Sequence, residues 1–220
     1  MSNKCNYRAK NIVYRGLNSS FDLYENNNHL SKINLSAAGL HNIYNSLAAI
    51  TIARELEINI KHIKSGLVRY SGVKRRLEVI NELDNGSLLI DDYAHHPSEV
   101  EASLSAIKTS FNKRVITIFQ PHLFSRTQNF YNEFAKALSK SDITILLNIY
   151  PAREKPIEGV SSKLIYDEMI KLDKKNIYLD ESDSIDTNII SDIYKDGDII
   201  VTMGAGDINK YNKNILDAII

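Results

Sequence analysis

Leu88-Leu89-Ile90-Asp91-Asp92-Tyr93-Ala94-His95-His96-Pro97 is the stretch on which the reading of the fold turns. A short apolar run within Ser87–Asp91 reads as a buried strand and ends in two acids. Pro97 sits where a first helical turn tolerates a residue without an N–H. Val100, Leu104, Ile107 and Phe111 then recur at helical spacing. The order is strand, polar loop, helix, and it recurs downstream. Arg114–Phe119 is a β-branched run and Asn129–Leu138 is helical; Ile143–Ile149 reads as a buried strand and 161–171 as a helix. Asn176–Leu179, a helix over 184–195, the strand Asp198–Met203 and a terminal helix from about 207 complete the pattern. Such alternation predicts an α/β fold with a mostly parallel sheet covered on both faces and right-handed crossovers. Ligands in such sheets sit at the carboxyl ends of the strands. Four polar clusters fall just after predicted strands: Asp91–His96, Gln120–Arg126, Asn148–Lys155 and Gly204–Asp207.

Upstream the pattern differs. Ile12, Tyr14, Phe21 and Leu23 alternate with polar residues, which predicts short strands within 11–35, and Asn26-Asn27-Asn28 marks a turn. Ile43, Leu47, Ile50, Ala53 and Leu56 predict a helix over 42–57; Ile60, Ile63 and Leu67 predict a second over 58–70. The change of pattern places a boundary near residue 72 and divides the chain into 1–71 and 72–220.

Lys+Arg and Asp+Glu both total 27, so the formal net charge is zero. That balance argues against a nucleic-acid grip through phosphates and against a polybasic membrane anchor. No run of about 18 apolar residues occurs, and the first residues lack a secretory apolar region. Cys5 is the single cysteine, which excludes an intrachain disulfide and fits a reducing, cytoplasmic compartment. It has no basic or metal-binding neighbourhood that would make it a nucleophile.

Each polar cluster admits two readings from residue types alone. An acid at the end of strand Ser87–Asp91 suits a ribose hydroxyl, and the pair His95, His96 suits a metal or a carboxylate; the same loop also reads as a helix cap. Arg126 offers a planar fork for carboxylate or phosphate, or a solvated charge beside a capping Ser125. Asn42 and Asn45 share a helix face and carry amides that match both the donor and acceptor edges of adenine, or they are a cap and a surface residue. Gly72-Val73-Lys74-Arg75-Arg76 could hold phosphates or simply be solvated. Gly204-Ala205-Gly206-Asp207 permits close backbone approach before a helix start, or is only a tight turn.

In order and spacing, Asp91–Glu99, Phe119–Thr127, Tyr150–Val160 and Met203–Ile208 resemble the Mur ligase family, and within it the alanine-adding branch that acts on UDP-N-acetylmuramate. Leu40–Ala49 and Gly72–Glu78 match as well. The resemblance starts near Tyr7 and runs to the end of the chain. The murein-peptide recycling ligase is the nearest confusable relative. The resemblance implies the end of a central ATPase domain at 1–71, followed by a Rossmann-like C-terminal domain at 72–220. With the first strands of the central sheet missing, helix 42–57 is expected to expose Ile43, Leu47, Ile50 and Ala53, and 72–220 is the expected stable unit.

The resemblance also implies a chemistry. ATP phosphorylates the muramate carboxylate with Mg²⁺ assistance, L-alanine's amine attacks the acyl phosphate, and phosphate leaves. By position, His41, Asn42 and Asn45 resemble the adenine contacts. Arg76 resembles the arginine reaching the ATP phosphates, Asp92 the ribose acid, and Tyr93 its neighbour near the base. His95, His122 and Arg126 resemble the residues facing the substrate carboxylates. Arg76, His95 and Arg126 are the implied catalytic set. Leu123 stands where many relatives carry a basic residue, leaving Arg126, with Arg153 as a candidate helper, to hold that carboxylate. No G-x-x-G-K-[ST] string occurs in the 220 residues, and no metal ligand is assigned. The expectation is therefore a chain inactive alone that needs an N-terminal half, in the same polypeptide or separately encoded. The alternative is a non-catalytic nucleotide- or partner-binding half-protein.

Overall fold

The computed structural model describes residues 6–70, 72–182 and 184–220. Cys5 and the boundary residue Ser71 lie outside the described residues. The chain divides into two compact units, 1–73 with 105–112, and 74–104 with 113–220. The first includes the last turns of a helix that begins in the second.

The first unit is an antiparallel meander of β1 (Tyr7–Arg15), β2 (Asn18–Glu25) and β3 (Asn28–Leu35), followed by α1 (Leu40–Glu55) and α2 (Ile60–Arg69). Glu25 pairs with Asn28 around a two-residue turn in which Asn26 and Asn27 both have positive φ, 47° and 74°. That is the primed turn matching the strand twist, and asparagine tolerates it. Phe21, Leu23, Ile33 and Leu35 project to one face of the sheet and meet Ile43 and Ile50 of α1 and Ile63 of α2. Ser20, Asp22, Lys32 and Asn34 take the alternate positions.

This packing corrects one expectation. Ile43 and Ile50 are fully buried, and Leu47 and Ala53 pack against the same core. The stripe expected to lie bare is covered by a sheet that the chain completes by itself with β3. Phe21→Ala should cost about 3–5 kcal/mol through the cavity left among Leu23, Ile33 and Ile43. Hydrogen exchange would read that loss as faster exchange in β1–β3, with protection in the six-stranded sheet unchanged.

The second unit is a six-stranded sheet. Its strands are β4 (Glu78–Glu82), β5 (Leu88–Asp92), β6 (Val115–Phe119), β7 (Ile143–Leu147), β8 (Ile177–Asp180) and β9 (Ile199–Met203), in the order β4-β5-β9-β6-β7-β8. The helices are α3 (Pro97–Ser110), α4 (Phe124–Leu138), α5 (Lys163–Lys171), α6 (Thr187–Ile193) and α7 (Asn212–Asp217). All pairings are parallel except that of β4, an antiparallel edge strand that the sequence reading did not distinguish. β4 alternates partly exposed residues and lacks the apolar run that marks the others. β5, β6, β7 and β9 are buried throughout, as continuous apolar strands of a parallel sheet should be. Helix α4 starts five residues earlier than expected, and the end of the chain is a 3₁₀ turn (Ile208–Tyr211) leading into the short α7.

The chain leaves β5, builds β6, β7 and β8 outward, then returns to insert β9 between β5 and β6. The loops after β5, β6 and β9 therefore emerge side by side, the arrangement that creates a ligand crevice in open α/β sheets. At the amino ends of the strands, Arg114 donates Nε and Nη2 to buried Asp198, at 2.9 and 2.6 Å, closing β6 against β9. Among the described residues no helix is long and apolar enough to cross a membrane.

Candidate functional site

Arg75 and Arg76 are neighbours with different surroundings. Arg75 Nε donates to Asp91 at 3.0 Å, Nη2 to the Gly204 carbonyl at 2.7 Å and Nη1 to the Gly206 carbonyl at 3.1 Å. Asp91 in turn accepts from the Thr202 hydroxyl at 3.0 Å. This guanidinium ties the segment before β4 to the ends of β5 and β9 and is spent on structure. Arg76 is exposed, 3.7 Å from Glu99 and within cation–π reach of the Tyr93 ring.

Asp92 is buried. Its Oδ1 accepts from the Ala94 N–H at 2.7 Å, and its Oδ2 from the Leu77 N–H at 2.9 Å and the Ser103 hydroxyl at 3.2 Å. Burial raises its pKa, opposed by those backbone hydrogen bonds. At 2% exposure its carboxylate holds the loop through these three donors.

The loop so held presents Tyr93 and His95. His95 Nδ1 lies 2.9 Å from the Tyr93 carbonyl, which selects the tautomer donating from Nδ1 and turns Nε2 outward from that bond. Glu99 accepts from the N–H groups of His95 and His96 at 3.1 and 3.2 Å and sits 3.4 Å from His95 Nδ1. Burial pushes the Glu99 carboxyl up, but these N–H groups, His95 and Arg76 outweigh it and hold it below its usual value. Glu99 is the third residue of α3 and closes the helix start as a capping box does. That three-residue spacing after His96 was the signal that would have found it.

The loop after β6 lies alongside. Its edges interlock with the loop after β7, because Leu123 N–H donates to the Tyr150 carbonyl and Tyr150 N–H to the Pro121 carbonyl. Leu123 precedes α4 with φ 75°, a strained position for a branched residue. Glu154 accepts the Ser125 N–H at 2.9 Å and also the Ser125 hydroxyl, which lowers its pKa. Neither Glu154 nor Tyr150 was singled out from the sequence, because their meaning depends on a contact made across two loops. Arg153, the candidate helper, is exposed on the same turn.

Here the separate strings meet. The His95 and His122 rings are 5.9 Å apart, Tyr93 meets His95 edge-on at 5.4 Å, and Tyr150 stacks on His122 at 5.7 Å. Arg126 Nη1 lies 3.4 Å from both the His95 carbonyl and His122 Nδ1. Gly204 and Gly206 let the last loop approach. A Cβ on Gly204 would stand 2.7 Å from the Gln120 carbonyl oxygen, and one on Gly206 2.6 Å from the Tyr150 ring. Arg76, Tyr93, His95, His122 and Arg126 therefore gather at the carboxyl ends of β5 and β6. The donor set is cationic and aromatic, suited to a carboxylate or phosphate. Among the described residues no group of three or more His, Cys, Asp or Glu could hold a metal ion.

His41, Asn42 and Asn45 belong to the first unit. All three lie in the first turns of α1, with His41 and Asn45 exposed. Asn42 Nδ2 donates to the Ala38 carbonyl at 2.7 Å from inside the first turn; the helix's N-cap position is Gly39, which offers no side-chain cap. Asn42 and Asn45 also line a cavity of about 300 Å³, together with Ala49, Leu67 and Tyr70.

Burial, then Arg126, then His95 lower the pKa of His122 below 6.5, with Glu154 opposing. The unfolded chain therefore takes up this proton first, and His122 withdraws stability as pH falls through 6.5. In an NMR titration its Cε1–H should move at lower pH than free imidazole, and Arg126→Gln should bring the midpoint part of the way back. Asp92→Ala strands two N–H groups and a hydroxyl, and should cost about 2–4 kcal/mol in a denaturant melt.

A family model described as "Mur ligase, glutamate ligase domain" matches residues 75–206. UDP-N-acetylmuramate–L-alanine ligases of Lachnospira eligens and Caldicellulosiruptor saccharolyticus are each 41% identical, over 97% of this chain and 46% and 47% of their own. The one from Syntrophus aciditrophicus is 37% identical over 98% of this chain and 45% of its own. The chain spans about half the length of the curated relatives it matches. The crystal structure of UDP-N-acetylmuramate-alanine ligase from Thermotoga maritima superposes with a TM-score of 0.81 over 98% of this chain and 46% of that one, at 24% identity. That of a murein peptide ligase from Psychrobacter arcticus gives 0.64, over 99% and 45%, at 25% identity. With more than half of its residues matched by the family model, and with the strand-end loops arranged as described, this chain belongs to the Mur ligase family.

Proposed function

We propose that this chain supplies the C-terminal part of an ATP-dependent ligase that joins L-alanine to the carboxylate of UDP-N-acetylmuramate, in peptidoglycan synthesis and in the cytoplasm. The observation that carries the reading is the convergence of Arg76, Tyr93, His95, His122 and Arg126 from separate strings onto adjoining strand ends. The printed names of the curated relatives support the alanine-adding reaction rather than murein-peptide recycling. On this reading residues 1–71 are the end of the central ATP-binding domain and 72–220 are the C-terminal domain.

The reaction needs an activated acyl group, because a carboxylate is a poor acceptor for an amine. The γ-phosphoryl group of ATP moves to a carboxylate oxygen; alanine's nitrogen then bonds to the carbonyl carbon, loses a proton, and inorganic phosphate leaves with the former carboxylate oxygen. Bound Mg²⁺ would supply charge neutralisation during phosphoryl transfer, from donors outside this set. The chain's own residues position the groups. Arg126 offers a two-pronged donor to a substrate carboxylate, and His122, kept neutral, adds a hydrogen bond without a second charge. His95 presents Nε2 as a proton acceptor toward the amine. Arg76, exposed beside Tyr93, reaches for phosphate oxygens. In the first unit, the cavity beside Asn42 and Asn45 has the amide and apolar lining that an adenine ring requires.

The purified 220-residue chain should release no phosphate from ATP in the presence of UDP-N-acetylmuramate and L-alanine. Mixing it with the unmatched portion of the Lachnospira eligens relative should restore release that depends on both substrates. In that mixture Arg126→Lys should lower kcat/KM for L-alanine by about 10–100-fold while KM for ATP holds. Substrate-dependent release by the chain alone, or an Arg126→Lys variant with unchanged alanine kinetics, would refute the corresponding part of the reading.

A further inference from the structure

Glu99 stands between the two halves of the proposed chemistry. Its Oε2 accepts from the N–H groups of His95 and His96 and lies 3.4 Å from His95 Nδ1. Its Oε1 lies 3.7 Å from Arg76 Nη1. One carboxylate is thus shared by the arginine assigned to phosphate and the histidine assigned to the amine. Helix capping alone does not require this. A capping box works with Gln as well as Glu, because the loop N–H groups need an acceptor and not a charge. Here the charge is matched too. Burial pushes the Glu99 carboxyl up, but the two N–H groups and the charges of His95 and Arg76 hold it down. The side chains facing His95 from the other elements are His122 and Arg126, after β6, and its own loop adds Tyr93. None of them is an acid. Asp92 and Glu154 are taken up by N–H groups elsewhere in the loops, which leaves Glu99 to face the imidazole.

We propose that Glu99 is a positioning residue that couples the phosphate step to the amine step, its charge shared with Arg76 before phosphate arrives and left to His95 afterwards. The inference deepens the ligase reading and rests on it for the identity of the two steps. In the conformation described, Arg76 and His95 draw on the same anion. When Arg76 turns to phosphate oxygens, Glu99 is left facing His95 alone. As alanine's nitrogen bonds to the acyl carbon, one of its N–H bonds breaks. The electron pair stays on nitrogen and the proton passes to His95 Nε2. The ring then carries a positive charge on the side of Nδ1 as well, and a carboxylate placed there stabilises the imidazolium. Proton removal from the amine is therefore most favourable once the arginine has engaged phosphate, which puts the two half-reactions in order.

Glu99→Gln separates the charge from the cap, because the amide oxygen still accepts the loop N–H groups. Its circular dichroism and melting temperature should stay close to those of the unsubstituted chain. In the full chain alone, the Glu99 carboxyl carbon is titrated by NMR. Arg76→Gln should raise its midpoint, since one of its two cations is gone; an unmoved midpoint would overturn the shared charge. Turnover is read on the chain mixed with the unmatched portion of the Lachnospira eligens relative. With L-alanine, Glu99→Gln should lower kcat by about 100-fold while KM for ATP holds. Hydroxylamine then replaces alanine as the probe, because its nitrogen is unprotonated at neutral pH and traps acyl phosphates without a base. Hydroxamate should form equally fast with and without the substitution. Equal losses with both nucleophiles would make Glu99 a merely structural residue and overturn the inference, as would unchanged kcat with alanine. A mixture in which the unsubstituted chain neither releases phosphate nor forms hydroxamate rejects the ligase reading, while the Glu99 titration still decides the shared charge.

Discussion

The Arg75–Asp91 ion pair is the contact on which the candidate site depends. Arg75 sits at φ 58° and Leu77 at φ 48°, both left-handed and costly for such side chains. They hold because the guanidinium has three acceptors and the Leu77 N–H has buried Asp92. One planar fork thereby fixes the end of β5 and the glycine loop after β9, the latter 131 residues from Arg75 at Gly206. Removing Asp91 would leave a half-buried guanidinium facing two carbonyls and no anion, a configuration whose cost exceeds that of an ordinary surface pair. The aromatic and cationic side chains of the site rest on this frame, and their positions follow from it.

Charge in the second unit is sorted by depth. The carboxylates nearest the site face inward or close helix starts: Asp91 and Asp92 are buried, Glu99 caps α3, and Glu154 holds the start of α4 through Ser125. Helix N-termini pointing at a crevice are ready-made anion sites, but here two of them are already satisfied by the protein's own carboxylates. What is left to meet an anionic ligand is side chains, chiefly Arg76 and Arg126. A zero net charge therefore coexists with a locally cationic crevice, which the total of 27 against 27 gives no hint of. Side-chain recognition suits carboxylates, whose planar geometry a guanidinium can match; backbone cradles suit phosphates, and the chain carries no P-loop string.

The parallel sheet was legible because β5, β6, β7 and β9 are continuous apolar runs, the pattern that burial on both faces imposes. β4 was not, because an edge strand with one exposed face lacks that pattern. The covering of α1 was misjudged for a related reason. Alternation in 11–35 revealed strands, but nothing local says that three short strands join each other and cap the helix that follows. At the site, the residue types that stand out in a string were readable: His95, His122, Arg126. Their supports were not. Glu99 and Glu154 look like ordinary surface acids until α3 and α4 are placed over them, and nothing in the string reports that buried Asp92 takes two N–H groups and a hydroxyl of its own loop. Sequence reports chemical capability, while the division between residues that touch a ligand and residues that hold those residues is set by depth.

The two faces of α1 extend that point to the whole chain. A helix that buries Ile43 and Ile50 needs only one apolar stripe, and selection for a solvated outer face would place charges at Tyr44, Ala48 and Ile52. Those three positions leave that side without charge as far as Ala53, and the exposed Glu55 follows in the last turn. Helices α3, α4 and α5 of the six-stranded unit each carry Lys and Glu or Asp along their length, as helices with one solvated face do. The family model covers the chain from residue 75, and the sheet and two helices of the first unit precede it. Arg76 and Arg126 stand on the second unit, whereas the amides of Asn42 and Asn45 stand on α1 of the first, so the two candidate ligand-binding sets are carried by separately built cores.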